Sequence, residues 1–230
     1  MSTQTRKPNY TLPIVVMFFL FAMISFVTGF QNPFGVILKA QLGLSNFQSQ
    51  LGAAANFIAY AIMGIPAGIL LQRKGYKFSA ISAVLVGLVG VVIMFLSSLV
   101  EGQQLIFTIY LIGALVAGFS MCMLNTVVNP MLNSLGKNPN QGNQLVQFGG
   151  SFNSLGATLA PVIVGGLLGG SASTIASANP VFFLAMGIFL AAFLVIFFSK
   201  LPESPDLGKP QARVKVSGAF RYRNFTFGVL

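Results

Sequence analysis

Tryptophan and histidine are absent from this sequence, acidic residues number three, and cysteine occurs once. Each gap closes off a chemistry. Without histidine there is no side chain whose ordinary protonation change falls between about pH 5 and 8, and no imidazole to bind a metal. The acids Glu101, Glu203 and Asp206 all lie outside the long apolar runs, so no paired carboxylates are on hand for acid–base work at membrane depth. Cys122 sits inside an apolar run; a lone thiol forms no intrachain disulfide and reads as a small packing residue. No glycine loop precedes a Lys-Ser or Lys-Thr pair, and no nucleophile–base set is present. This reading excludes an enzyme and an ATP-driven pump, and expects no cofactor and no metal.

What the chain does have is apolar length. Hydrophobic residues make up 55% of it and charged residues 7%, with a mean hydropathy of +0.82; no soluble core absorbs that much apolar surface, so the chain reads as a multispanning membrane protein. Six runs, at 12–42, 47–72, 78–100, 104–135, 143–169 and 179–200, each reach the roughly 20 residues that a spanning helix needs. They are continuous rather than alternating, which excludes a barrel. The first run is too long for a secretory signal and reaches no small-residue cleavage site, so it is expected to stay as a helix.

The net charge of +10 would suggest nucleic acid in a soluble protein, but here the cations sit on alternate loops. Arg6 and Lys7 precede the first run, Arg73, Lys74 and Lys77 separate the second from the third, and Lys137 separates the fourth from the fifth. Lys200, Lys209, Arg213, Lys215, Arg221 and Arg223 follow the sixth, whereas the opposite loops hold only Lys39 and Glu101. Both termini are therefore expected in the cytoplasm, and the basic balance reflects topology and attraction to anionic lipid, with no nucleic-acid partner.

The first three runs match the second three at one constant offset. The offset that carries Asn32-Pro33 to Asn129-Pro130 also pairs Asn46 with Asn143, Gln50 with Gln147, Gly52 with Gly149, Asn56 with Asn153 and Gly68 with Gly165. Apolar coincidences are cheap in such a chain; amides, prolines and glycines in register are not. A three-plus-three repeat with polar and helix-breaking residues at matching depths points to a secondary transporter. The expected organisation is a bundle over 1–200, with repeat one at about 12–100 and repeat two at about 104–200. A proline-spaced cytoplasmic linker at 201–223 and the start of a seventh span at 224–230 follow. That last segment is too short to span, so the chain is expected to be the first half of a longer protein.

Specific segments carry a family resemblance. Leu44-Ser45-Asn46-Phe47-Gln48, Tyr60, Ile65-Pro66-Ala67-Gly68, Asn129-Pro130 and Ser151-Phe152-Asn153-Ser154-Leu155-Gly156 together resemble the fucose-permease branch of the major facilitator superfamily, proton-coupled monosaccharide transporters. The superfamily's loop signature appears in diverged form from Gly68 through Gln72, Arg73 and Gly75 to Lys77. On this reading Gly68 allows close helix approach, Gly75 makes the turn, and Arg73 and Lys77 face cytoplasm and helix C-terminal carbonyls. The motif's acid is replaced by Gln72, which removes its charge-dependent latch. The resemblance further implies an acid late in the first helix and another in the fourth; those places hold Asn32 and Asn125, and a Gln expected in the fifth is Gly150. Neither asparagine titrates.

Amides suit sugar hydroxyls, because both partners donate and accept without charge. Asn125, Asn129 and Asn133 recur every fourth residue, along one face of a helix. Asn32 precedes Pro33 as Asn129 precedes Pro130, and both prolines are expected to break their helices beside a shared cavity. Asn56 and Asn153 repeat each other, as do Gln50 and Gln147; Gln147 and Asn153 lie about 120° apart on a helix, so only one can point squarely into a lumen. The expected substrate contacts are Asn32, Asn56, Asn125, Asn129, Gln147 and Asn153, against the alternative that such amides are interhelical glue. The glycines of the fifth helix, Gly149, Gly150, Gly156, Gly165, Gly166, Gly169 and Gly170, read as packing surfaces.

The fold class expected is all-α transmembrane: a six-helix major-facilitator N-terminal bundle of two inverted three-helix repeats, half of a transporter of about twelve helices. The resemblance implies alternating-access transport of a hexose or deoxyhexose across a bacterial inner membrane. The partners expected are sugar, bilayer and a second six-helix half. The alternatives are a carrier of another polar uncharged solute, or a non-transporting assembly partner.

Overall fold

A computed structural model describes residues 10–168 and 175–203, with the backbone alone at position 32. Gly169 and Gly170, most of the expected linker, and the expected seventh span lie outside the described residues. Every long element is helical. Helix α1 (Thr11–Leu42) stops where Gly43 takes up φ 62°, a left-handed conformation that glycine adopts without a Cβ clash. A one-turn helix, α2 (Asn46–Ser49), is opened by a capping box: Ser45 Oγ accepts from the Gln48 N–H and Gln48 Oε1 accepts from the Ser45 N–H. Then come α3 (Leu51–Leu96), α4 (Gln103–Leu135), α5 (Pro139–Leu168), one 3-10 turn (Ile175–Ala178) and α6 (Asn179–Phe198).

Among the described residues five helices are long and apolar enough to cross a membrane, where six separate runs were expected. The difference lies in α3. Its 46 residues contain one non-helical position, Gly75, at φ 82° and ψ −179°. A straight helix would hold Asn56 and Gly90 about 50 Å apart. Instead Asn56 and Ala59 close on Gly118, while Gly90 closes on the adjacent Ala117. The element therefore doubles back at Gly75, and the runs expected at 47–72 and 78–100 are its two arms. The chain is a multi-pass membrane protein.

The heaviest packing is of α3 on α4 and of α5 on α1. In hydrocarbon there is little hydrophobic drive between helices, so close approach of small residues does the holding. A Cβ on Gly118 would stand 2.7 Å from Ala59 Cβ, and one on Gly156 would stand 2.6 Å from the Ala22 carbonyl oxygen. The sequence offset carries Ala59 onto Gly156 and Phe21, the neighbour of Ala22, onto Gly118. Both contacts thus follow the internal repeat to within a residue. Between the two pairs sits an aromatic cluster: Phe34 lies 4.6 Å from Phe182 and 5.6 Å from Phe30, centroid to centroid, and stacks on Tyr110 at 6.1 Å.

Three expectations fail. Pro33 and Pro130 do not break their helices, since α1 and α4 run through them; packed neighbours and side-chain donors support the backbone around a membrane proline, and Asn129 Nδ2 donates to the Asn125 carbonyl at 2.9 Å, just before Pro130. Gly68 brings no helix close among the described residues: none of their atoms lies within 4 Å of where its Cβ would be, and the same holds at Gly150, Gly165 and Gly166. Of the expected packing glycines among the described residues, only Gly149, against Phe21 and Leu132, and Gly156 behave as packing positions. Finally, Glu203 is not idle in a linker. Its carboxylate accepts from the backbone N–H of Tyr76, at 2.6 Å, and of Lys77, at 3.0 Å, at the start of the second α3 arm where the helix dipole is positive.

Candidate functional site

A cavity of about 510 Å³ opens between α1, the first arm of α3, and α5. Small side chains make the room: Gly29 on α1, Ala53 on α3 and Ala157 on α5 line it, together with Pro161. The α3 wall is Ala53, Asn56, Phe57 and Tyr60, a spacing of three, four and seven residues that puts all four on one helix face. Asn56 and Tyr60 stand about 8 and 14 Å along the arm from Leu51, so the wall reaches inward from one membrane face. Phe57 and Tyr60 are its aromatic side chains, and Thr28, Asn56 and Tyr60 its polar ones.

The expected amides meet different fates. Asn125 joins the site through Tyr60, donating from Nδ2 to the phenolic oxygen at 2.6 Å and so linking α4 to the cavity wall. Asn56 lines the cavity but directs its Nδ2 to Gln31 Oε1, a side chain only 2% exposed; Gln31 Nε2 and Asn56 Oδ1 have no partner among the described residues. Asn129 is spent on its own helix. Asn153 is half-buried on α5, one turn before Ala157 on the same face, and has no side-chain bond among the described residues. Gln147 is exposed and does not line the cavity. The backbone of Asn32 is helical, one turn beyond Thr28, and its side chain lies outside the described residues.

The loop-motif residues stand apart from the cavity. Arg73 is exposed. Lys77 donates from Nζ to the carbonyls of Phe197, at 2.8 Å, and Ser199, at 3.0 Å, at the C-terminal end of α6. Sequence reasoning missed the aromatic wall. The signal was present in the stripe from Ala53 to Tyr60, and Tyr60 stands among the residues that carry the family resemblance, but among 23 phenylalanines and five tyrosines periodicity singled out no ring as a substrate contact.

Comparison with known proteins bears on what such a cavity serves. A family profile described as Major Facilitator Superfamily matches residues 17–229. The glucose/galactose transporter of Brucella abortus biovar 1 (strain 9-941) is 28% identical across 99% of this chain and 55% of its own. The L-fucose-proton symporter of Escherichia coli (strain K12) is 25% identical across 68% of this chain and 35% of its own. Among solved structures, the E. coli fucose:proton symporter superposes with a TM-score of 0.72 over 96% of this chain and 58% of that one, at 21% identity; the likeness establishes the fold. The chain spans about half the length of the curated relatives that match nearly all of it.

Proposed function

The chain belongs to the major facilitator superfamily, and on that premise we propose that it is the N-terminal helical bundle of a monosaccharide transporter of the bacterial inner membrane. The observation that carries the reading is the match across 99% of the chain to a protein named a glucose/galactose transporter. The cavity supports it physically. Ring faces beside polar atoms match the apolar and hydroxyl-bearing surfaces of a sugar, and a mostly apolar wall with few polar groups is what orients a small ligand.

In this reading the cavity is one side of a shared site and a second bundle supplies the other, the two rocking about substrate in alternating access. Both ends of the described bundle face the cytoplasm, because the cations cluster on alternate loops. With Asn125 where the resemblance implies an acid and no histidine anywhere, this bundle carries sugar without handling a proton. Cells expressing the complete carrier should take up labelled glucose, galactose or fucose saturably, and the 230-residue chain reconstituted alone should give no flux. Absence of saturable uptake of every hexose and deoxyhexose, with the carrier shown to be in the membrane, would overturn the assignment.

A further inference from the structure

Three polar side chains line the cavity, and two are wholly or partly engaged with the protein. Thr28 has one hydroxyl hydrogen, and it goes to its own helix, where the Ile24 and Ser25 carbonyls both lie 3.1 Å away. Asn56 gives one amide hydrogen to Gln31, which leaves its second N–H, and its carbonyl oxygen is buried beneath α4 beside Gly118. Tyr60 differs. Its oxygen receives a hydrogen from Asn125 Nδ2 at 2.6 Å, so its single proton cannot lie along that line and must point elsewhere. The residue is 37% exposed and lines the cavity.

We propose that Tyr60 presents its hydroxyl hydrogen to the cavity as the donor for an oxygen-bearing ligand, with Asn125 as the positioning residue that sets this direction. The identity of the ligand rests on the sugar-carrier reading; the direction of the hydrogen bond does not. The choice of side chain at position 125 decides the polarity of the wall. A carboxylate only accepts, and would draw the Tyr60 proton onto itself; the Asn125 amide, with Nδ2 rather than Oδ1 toward the phenol, donates and turns the proton away from itself. A ligand must then offer an acceptor, such as a hydroxyl or ring oxygen, beside the rings of Phe57 and Tyr60.

The direction is measurable without any ligand. The tyrosine doublet in ultraviolet resonance Raman spectra separates a phenol that accepts from one that donates, and subtracting the spectrum of Tyr60→Phe isolates Tyr60 in the intact 230-residue chain. The expected signature is that of an acceptor, switching to a donor in Asn125→Asp at mildly alkaline pH. A donor signature in the unmodified chain, or one unmoved by Asn125→Asp, overturns the proposal.

Glucose, galactose and fucose are then titrated by tyrosine emission, which the absence of tryptophan leaves unmasked. Tyr60→Phe and Asn125→Asp should each weaken binding about 3- to 10-fold, the worth of one neutral hydrogen bond, and Asn125→Leu should weaken it less. If Asn125 merely filled space, near-isosteric Asp would be the milder change; that ranking overturns the proposal. No saturable uptake of any of the sugars by the complete carrier, with the acceptor signature intact in this bundle, sinks the sugar reading and leaves the hydrogen-bond assignment supported.

Discussion

Lys77 and Glu203 hold each other's helices by the ends. The carboxylate of Glu203 accepts the Lys77 backbone N–H at the start of the second α3 arm, while the Lys77 ammonium caps the last carbonyls of α6, four residues before Glu203. Each charge meets the helix end of opposite sign. Glu203→Gln and Lys77→Met should each cost about 1 kcal/mol, a fall of roughly 2–4 °C in thermal midpoint for a chain of this size. The double variant should lose less than the two losses added, since both act on one network. Strict additivity in a detergent melt would show the two contacts to be independent.

Gly118 and Gly166 should respond oppositely to added volume. At Gly118 a Cβ already meets Ala59 and Asn56 inside 3 Å, so Gly118→Val should cost about 1–3 kcal/mol by overpacking. At Gly166 the space is open, and Gly166→Ala should be neutral or stabilise by about 0.5 kcal/mol through helix propensity. Equal losses at both sites would contradict the packing described for α4.

The amide pair of Gln31 and Asn56 gives a third test. Replacing either by Leu strands its partner, at about 1–3 kcal/mol, whereas the Gln31→Leu, Asn56→Leu double variant removes both buried amides and should be milder than the sum. A double-variant melt as low as the summed singles would show that the amides do not act as a pair.

Much of this was legible in sequence, and the exceptions have physical causes. Hydropathy located the apolar runs because bilayer thickness fixes helix length. Gly75 was readable as a turn because glycine alone takes its positive φ without strain. Pro33 and Pro130 misled, since sequence shows the lost N–H but not the packing around it. Asn129 could not be separated from Asn125 by periodicity, as both share a face; only coordinates show one donating to Tyr60 and the other to its own helix. The role of Glu203 was invisible because its partners are backbone groups at Tyr76 and Lys77, far away in sequence.

Topology is testable on a Cys122→Ser background. A single cysteine at Gln103 should react with an impermeant maleimide from outside intact cells, and one at Lys137 only after the membrane is opened. Labelling of position 137 from outside would invert the bundle and undo the reading of the charge pattern.

Where the second bundle supplies no compensating acid, transport by the complete carrier should be nearly flat between about pH 5.5 and 8, because this bundle has no histidine and no acid on the cavity wall. Asn125→Glu should introduce a dependence of defined sign. Desolvation favours the neutral acid and raises its pKa, so uptake should fall as pH rises and the carboxylate becomes charged without a partner. Sodium is varied separately, since amide and carbonyl oxygens can coordinate it. Sugar-driven alkalinisation outside cells carrying the unmodified carrier would place a proton site in the second bundle.

The fold-back of α3 at Gly75 also constrains how the protein is made. One non-helical residue joins the two arms, so no slack exists for the first arm to settle in lipid while the second waits outside. The arms are expected to enter the bilayer together as a hairpin. Arg73, Lys74 and Lys77 ride at its crest, and by the positive-inside rule they should hold this turn on the cytoplasmic side, so that one glycine sets the orientation of both arms at once.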